Sequence, residues 1–311
     1  MTQDLWANEG GRPSMRDRVL LMRSKPMFEG LDDDGLLLLA EHGQQGFYRD
    51  GEVITQEGEP GGQVYVIDQG EIEVSSAGKW LITRKAGEGF GALQVLSHEP
   101  SPLAVARGDV RTLEVPGSAF ESALTENFSL LRTTLTRLGE SVLQIRGNLP
   151  VNPDQPRTFK ESVWYDQPKT LVERLVELRQ QPFGRMNLDA LVDMVRGMGE
   201  VRYPAGALLW AIGEPSTHAL TIDCGTVICT AADGRHVKIG AGFTLGVLDV
   251  WRRSRVYEVR TETPVIAYRA EFEGFLALLE KHPEVGLELL RGFARDLSAA
   301  HGGGTSVPPG R

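Results

Sequence analysis

Gly58-Glu59-Pro60 followed by Ile67-Asp68-Gln69-Gly70, and then, 155 residues on, Gly213-Glu214-Pro215 followed by Ile222-Asp223-Cys224-Gly225: these passages decide the fold, because they are one pattern written twice. At the same shift the chain aligns without a gap from Phe28 to Gly70. Phe28 falls on Phe183, Asp34 on Asp189, Leu36 on Leu191, Tyr48 on Tyr203 and Gly51 on Gly206. That makes 11 identities in 43 positions, where chance at typical residue frequencies gives about three. A repeat of this length is a duplicated domain, since solenoid units run only about 20–50 residues. Further on, Phe90 is matched with Phe243 across a two-residue deletion.

Outward from those passages the elements of each copy can be read. Apolar spacing predicts a short helix from Arg16 to about Ser24. Asp32-Asp33-Asp34 opens a second, with Leu36, Leu37, Leu39 and Ala40 on its buried side, because acidic residues suit a helix N-terminus. From Gly46 to Val115 the period changes to short alternating runs such as Val53-Ile54-Thr55, Val64-Tyr65-Val66-Ile67 and Trp80-Leu81-Ile82-Thr83. Gly or Asp punctuation separates the runs, which is the signature of a small antiparallel barrel or jelly roll. A helix begins at Ser118 and another runs from about Asn127 to Arg146. The second copy repeats the order, with helices near 169–180 and 187–198, strands over about 200–268 and helices over about 271–300. The expected fold is mainly β with flanking helices. It comprises two β-roll (jelly-roll) domains, 15–147 and 169–300, each of about eight strands with N- and C-terminal helices. Residues 1–14 and 301–311 read as flexible tails, and the Pro-rich stretch 148–168 reads as a linker.

Composition narrows the function. The 311 residues are 41% apolar and 24% charged, and 42 acidic residues against 33 basic ones give a formal charge of −9. That balance argues against a broad nucleic-acid-binding face. No apolar run is long enough to span a bilayer, and the N-terminus has neither a basic start nor an apolar stretch, so no membrane insertion is expected and the cytoplasm is the expected location. If Cys224 and Cys229 share a strand, their odd separation points them to opposite faces. That makes a poor disulfide pair, and the spacing suits no metal site. The histidines His42, His98, His218, His236, His282 and His301 never fall at i, i+2, and no nucleophile elbow, P-loop or Cys–His constellation is present. No catalysis, metal or cofactor is expected.

Four segments of the first copy carry a family resemblance. They are Pro26-Met27-Phe28-Glu29-Gly30-Leu31-Asp32; Asp50-Gly51-Glu52-Val53-Ile54 with Glu57-Gly58-Glu59-Pro60; Tyr65-Val66-Ile67-Asp68-Gln69-Gly70-Glu71-Ile72; and Gly87-Glu88-Gly89-Phe90-Gly91. With its repeat, the chain resembles a tandem cyclic-nucleotide-binding-domain protein, its domains like those of CRP regulators and of protein-kinase-A regulatory subunits, the latter having such a tandem layout. The resemblance implies a Phe-Gly-Glu that opens a short helix, whose amides hold the cyclic phosphate while the Glu takes the ribose. It also implies a later Arg-x-Ala-Thr whose Arg neutralises that phosphate. In the first copy Phe90-Gly91 is followed by Ala92 in place of the Glu, and Ser101 stands where the Arg belongs, so this pocket is expected to be degenerate. In the second copy Phe243 is followed by no Phe-Gly-Glu. A basic cluster, Trp251-Arg252-Arg253-Ser254-Arg255, occupies the arginine segment, with Arg255 nearest the phosphate slot. Val256, Tyr257 and Glu258 then replace x-Ala-Thr, with Glu258 beside the ligand. Phe243, Arg252, Arg253, Arg255 and Tyr257 are candidates for a small-anion or altered-nucleotide site; a solvated basic turn is the other reading.

The framework is retained and the ligand residues are lost. We therefore expect a non-enzymatic regulatory or adaptor protein that acts through contact with another protein and does not bind cyclic nucleotides. A sensor with an atypical pocket in the second copy is the alternative. The second copy ends near Ala300, which leaves no room for a helix-turn-helix. On the helix closing the first copy, Phe128, Leu131, Leu135, Leu138, Val142 and Ile145 fall at 3-4-3-4-3 spacing, a heptad seam that predicts a homodimer through Leu131, Leu135, Leu138 and Val142. The competing reading packs the stripe within the chain.

Overall fold

The computed structural model describes residues 14–25, 28–152, 163–179 and 186–302. Pro26, Met27, Phe183, much of the linker and most of both tails lie outside the described residues. The chain forms two compact units: residues to Thr134 together with those from Leu287 onward, and Leu135–Gly286. Helix α5 (Phe128–Ile145) and helix α9 (Pro283–Gly302) each begin in one unit and end in the other, so the units do not coincide with the repeat limits 15–147 and 169–300.

The first unit opens with helix α1 (Met15–Arg23). Ser14 caps it reciprocally: the Asp17 amide donates to Ser14 Oγ, and the Ser14 amide donates to the Asp17 carboxylate. Asp32 caps α2 (Asp33–His42) by accepting from the Gly35 amide at 2.8 Å. The strands are β1 (Gln44–Tyr48), β2 (Val53–Thr55), β3 (Gln63–Ser76), β4 (Lys79–Lys85), β5 (Gly89–Phe90) and β6 (Leu103–Pro116). They form one antiparallel sheet, ordered β1-β6-β3-β4, with β2 on β6 and β5 on β3. Tyr65, Ile67, Ile72, Val74, Phe90, Ala104, Ala106 and Val110 fill its interior. Helices α3 (Ala92–Ser97) and α4 (Gly117–Glu126) complete the order. The part of α9 that belongs to this unit reaches it through Arg291, whose guanidinium lies 3.2 Å from Glu121.

The second unit has α6 (Leu171–Arg179), α7 (Leu188–Arg196), eight strands and α8 (Phe272–Lys281). The strands are β7 (Met198–Tyr203), β8 (Leu208–Trp210), β9 (His218–Cys224), β10 (Thr226–Ala231), β11 (His236–Gly240), β12 (Thr244–Leu245), β13 (Tyr257–Thr261) and β14 (Val265–Glu271). They form two four-stranded antiparallel sheets, β11-β10-β13-β8 and β12-β9-β14-β7. The expected eight strands per copy are met here. The first unit shows six, because its long β3 and β6 run without interruption through the bends that separate β9 from β10 and β13 from β14.

The duplication reaches individual hydrogen bonds. Tyr48 ends β1 opposite Val110, and Tyr203 ends β7 opposite Val265. The pairs Gly51 and Gly206, Gly58 and Gly213, Gly70 and Gly225, Gly87 and Gly242, and Gly91 and Gly246 all take positive φ. Tyr65 faces Phe90, and Leu220 faces Leu245. The Ile67 amide donates to Glu88 O, and the Ile222 amide donates to Phe243 O. The match of Phe90 with Phe243 is therefore corrected. Leu245 holds the place of Phe90, Phe243 holds that of Glu88, and there is no deletion at that point. Identity of residue type misled the alignment where backbone register decides equivalence.

One further expectation is revised. Cys224 and Cys229 do not share a strand: Cys224 ends β9 and Cys229 sits in β10 beyond the turn at Gly225 (φ +88°). Both are buried free thiols, and burial pushes the Cys229 thiol well above the usual range. On α5, Leu131, Leu135 and Val142 are fully buried in the single chain and Leu138 is partly buried. Phe128 of the stripe is also partly buried and Ile145 is exposed, so most of the stripe packs within the chain, as the competing reading expects. Among the described residues no helix is long and apolar enough to cross a membrane.

Candidate functional site

The cassette that would hold a phosphate lies, in each unit, between a close-packed glycine and the strand that returns across the barrel. In the first unit Gly91 (φ +90°) sits so close to the Gln63 carbonyl that an added Cβ would lie 2.3 Å from it. In the second, a Cβ on Gly246 (φ +84°) would lie 2.9 Å from the equivalent carbonyl of His218 and 2.6 Å from Arg255 Nη1. Only glycine fits both the dihedral and the approach. At the far end of the cassette the Ser101 amide donates to Glu59 O at 2.7 Å and Ser101 O accepts from Gly58. The Arg255 amide donates to Glu214 O at 2.8 Å and Arg255 O accepts from Gly213. Ser101 and Arg255 are therefore structural counterparts.

The two cassettes are filled differently. In the first unit, α3 starts at Ala92 without a side-chain cap, and Ser101 is buried, so neither a carboxylate nor a cation is present at the two key positions. In the second, the Arg255 side chain is wholly enclosed and so is Asp249 opposite it, with Nη1 at 3.3 Å and 3.4 Å from the two carboxylate oxygens. Nη2 donates to His218 O at 2.6 Å, and the guanidinium carbon stands 3.9 Å over the Trp210 ring. The Tyr257 hydroxyl accepts the Gly246 amide at 3.0 Å. The Gly246 amide and both terminal nitrogens of the Arg255 guanidinium have partners within the chain.

Electrostatics follow from that enclosure. Burial raises the pKa of Asp249 against the opposing pull of Arg255. Burial, then the Arg255 charge, lowers His218 to about 4. Burial raises Tyr257 well above the phenol range. A buried ion pair of this kind adds little net stability, yet removing one partner costs about 3–5 kcal/mol because the other charge is stranded.

Of the residues singled out from sequence, Arg255 and Tyr257 meet in this cassette. Arg252 and Arg253 are exposed, unlike the enclosed Arg255. Phe243 packs partly buried against the barrel core. Glu258 does not stand beside a ligand site: it is partly exposed, alternates away from buried Tyr257 along β13, and approaches Arg260 at 3.6 Å. Sequence reasoning passed over Asp249, Trp210 and His218. Asp249 carried a faint signal, a lone acid six residues before the candidate arginine. Trp210 carried none, since it aligns with Thr55. A separate cleft of about 580 Å³ on the first unit is lined by Tyr48, Arg49, Glu52, Asp109 and Arg111 among others, and shares no residue with the cassette.

Residues 45–127 match the family model described as the cyclic nucleotide-binding domain. The first unit has the cyclic nucleotide-binding-domain fold over those residues. Similar curated proteins are glutaminase 2 of Bradyrhizobium diazoefficiens, 26% identical over 131 residues (42% of this chain), and the cAMP-dependent protein kinase regulatory subunit of Hypocrea atroviridis, 33% identical over 85 residues (27% of this chain). The chain spans about a fifth of the length of each, 21% and 18%. Similar solved structures include the regulatory domain of Toxoplasma gondii protein kinase A with cAMP, at 15% identity and TM-score 0.36, covering 91% of this chain and 96% of that one. Another is the regulatory subunit of a cAMP-independent protein kinase A from Trypanosoma brucei, at 14% identity and TM-score 0.36, covering 91% and 88%. The 155-residue repeat carries the cyclic nucleotide-binding-domain fold into the second unit, where the same strand pairings and turn glycines recur.

Proposed function

We propose that this chain is a non-enzymatic regulatory or adaptor protein of the cytoplasm. In this reading it uses the cyclic nucleotide-binding-domain framework to contact another protein and leaves cyclic nucleotides unbound. The observation that carries the reading is the state of Arg255. The side chain in the phosphate-arginine place is already neutralised by Asp249, bonded to His218 O and covered by Trp210. A cyclic phosphate would have to displace a buried carboxylate to reach it. In the first unit the reading rests on Ala92 and Ser101, which supply neither a ribose acceptor nor a phosphate cation. A phosphate buried there would lack compensation, at a cost of several kcal/mol. Isothermal titration of the full chain with cyclic AMP and with cyclic GMP tests this. The expected result is no saturable heat, and a dissociation constant in the micromolar range or tighter overturns the reading.

A further inference from the structure

Strand β4, Lys79-Trp80-Leu81-Ile82-Thr83-Arg84-Lys85, is the last in the order β1-β6-β3-β4 and pairs on one side with Glu71–Ser76 of β3. Glu88 holds its Lys85 end: the Glu88 amide donates to Lys85 O at 3.0 Å, and the Glu88 carboxylate accepts from the Lys85 amide at 2.7 Å. From Lys79 to Arg84, among the described residues, no backbone hydrogen bond reaches the outer edge from another element. Every second residue of such a strand turns its N–H and C=O outward, a template for one more strand.

Two features mark this edge. Trp80 is 63% exposed, yet its indole N–H donates to Thr83 Oγ1 at 3.2 Å. The register shift opposite Leu81 makes that bond possible. Trp80 lies opposite Ser75 and Thr83 opposite Glu73, so both stand on the face away from the core residues Ile72 and Val74. A large aromatic is thus held in one place while open to water. The strand also carries three cations and no acid. Lys85 approaches Glu71 at 3.4 Å, and among the described residues Lys79 and Arg84 have no ion-pair partner. The fold requires neither feature. In the second unit β11 likewise ends its sheet, and Cys229 opposite Val237 repeats Val74 opposite Ile82. There Val237, Ile239 and Gly240 are buried, Lys238 pairs with Glu262 at 2.7 Å, and the strand has no indole or phenyl ring.

Resting on the adaptor reading above, we propose that the outer edge of β4 docks an extended acidic segment of a partner protein, which joins the sheet as a further strand. Main-chain hydrogen bonds to β4 supply the affinity. Carboxylates of the segment meet Lys79, Arg84 and Lys85, an apolar residue covers Ile82, and the fixed Trp80 ring shields the new hydrogen bonds from water. A second copy of the chain is the wrong occupant. Antiparallel pairing of β4 with itself over its whole length sets Lys79 against Lys85 and Trp80 against Arg84. Parallel pairing in register sets each cation against its own copy, and opposed like charges destabilise a sheet.

The test uses the full chain and an end-blocked, dye-labelled peptide of alternating glutamate and valine, as long as β4, followed by fluorescence anisotropy. Saturable binding is expected. Trp80→Ala, at an exposed position that leaves the core intact, weakens it about tenfold. The same peptide with lysine for glutamate binds the wild type about tenfold more weakly, and Lys79→Glu narrows that preference about threefold. Methylation of the peptide's backbone nitrogens removes its donors and abolishes binding. The proposal is overturned if the glutamate–valine peptide does not bind saturably, if the methylated or the lysine peptide binds as well, or if Trp80→Ala or Lys79→Glu changes nothing. Lys79 and Lys85 then serve only to keep the edge from pairing with other chains. Cyclic-nucleotide binding by the wild type would defeat the proposed function without altering these comparisons.

Discussion

Substituting Gly246 by alanine probes the cassette without touching a charge. Two costs apply. The first is conformational: Gly246 is at φ +84°, where an L-residue is disfavoured by about 1–2 kcal/mol. The second is steric, since the new Cβ would lie 2.6 Å from Arg255 Nη1 and 2.9 Å from His218 O. A guanidinium at a protein surface would swing aside. This one is fully enclosed, stacked on Trp210 and bonded to His218 O, so moving it pulls it off Asp249 and leaves both buried charges partly stranded, where stranding one outright costs about 3–5 kcal/mol. Partial loss of that pair plus the conformational cost predicts about 3–4 kcal/mol for Gly246→Ala. Gly213→Ala is the matched control. Its φ is +88° and nothing lies within 4 Å of the added Cβ, so it bears the conformational cost alone, about 1–2 kcal/mol. Urea unfolding followed by tryptophan fluorescence, with equal m-values, measures both. If the two substitutions cost the same within about 0.5 kcal/mol, Arg255 is not locked as described and the account of a self-closed cassette fails.

Two other perturbations test the neighbourhood and the helix seam. His218 has its folded pKa lowered to about 4 from an ordinary 6.5, so between those values the unfolded chain binds a proton that the folded chain refuses. Stability should therefore fall as pH drops from about 6.5 to 4, by about 1–2 kcal/mol once the partial solvent exposure of the ring is allowed for, and His218→Gln should flatten that slope. Leu135→Ala should cost about 2–5 kcal/mol, because the side chain is fully buried in the single chain. Unfolding midpoints independent of protein concentration would agree with intramolecular packing, and midpoints that rise with concentration would restore the seam to an interface between copies.

The sequence by itself determined the architecture. Turn glycines and capping acids act locally, so Gly58, Gly70, Gly213 and Gly225, or Asp32 at the start of α2, announce their backbone roles within a few residues of chain. Alternation then places strands, and a 155-residue repeat of such local signals makes two copies of one domain. The cassette was only half legible. Arg255 and Tyr257 stood out against the family pattern, as did the losses at Ala92 and Ser101. Which partner each side chain takes was decided in three dimensions. Phe243 looked like the counterpart of Phe90 until strand register gave that place to Leu245. The heptad stripe of α5 was a correct statement of which face is apolar, but spacing cannot say what covers a face, and within the chain Leu131, Leu135 and Val142 are buried while Ile145 is exposed. Asp249 and Trp210, remote from each other in sequence, converge on Arg255 because β8 pairs with β13, the strand that follows Arg255. Charge neutralisation at that point is a matter of distance in space, and a sequence records distance only along the chain.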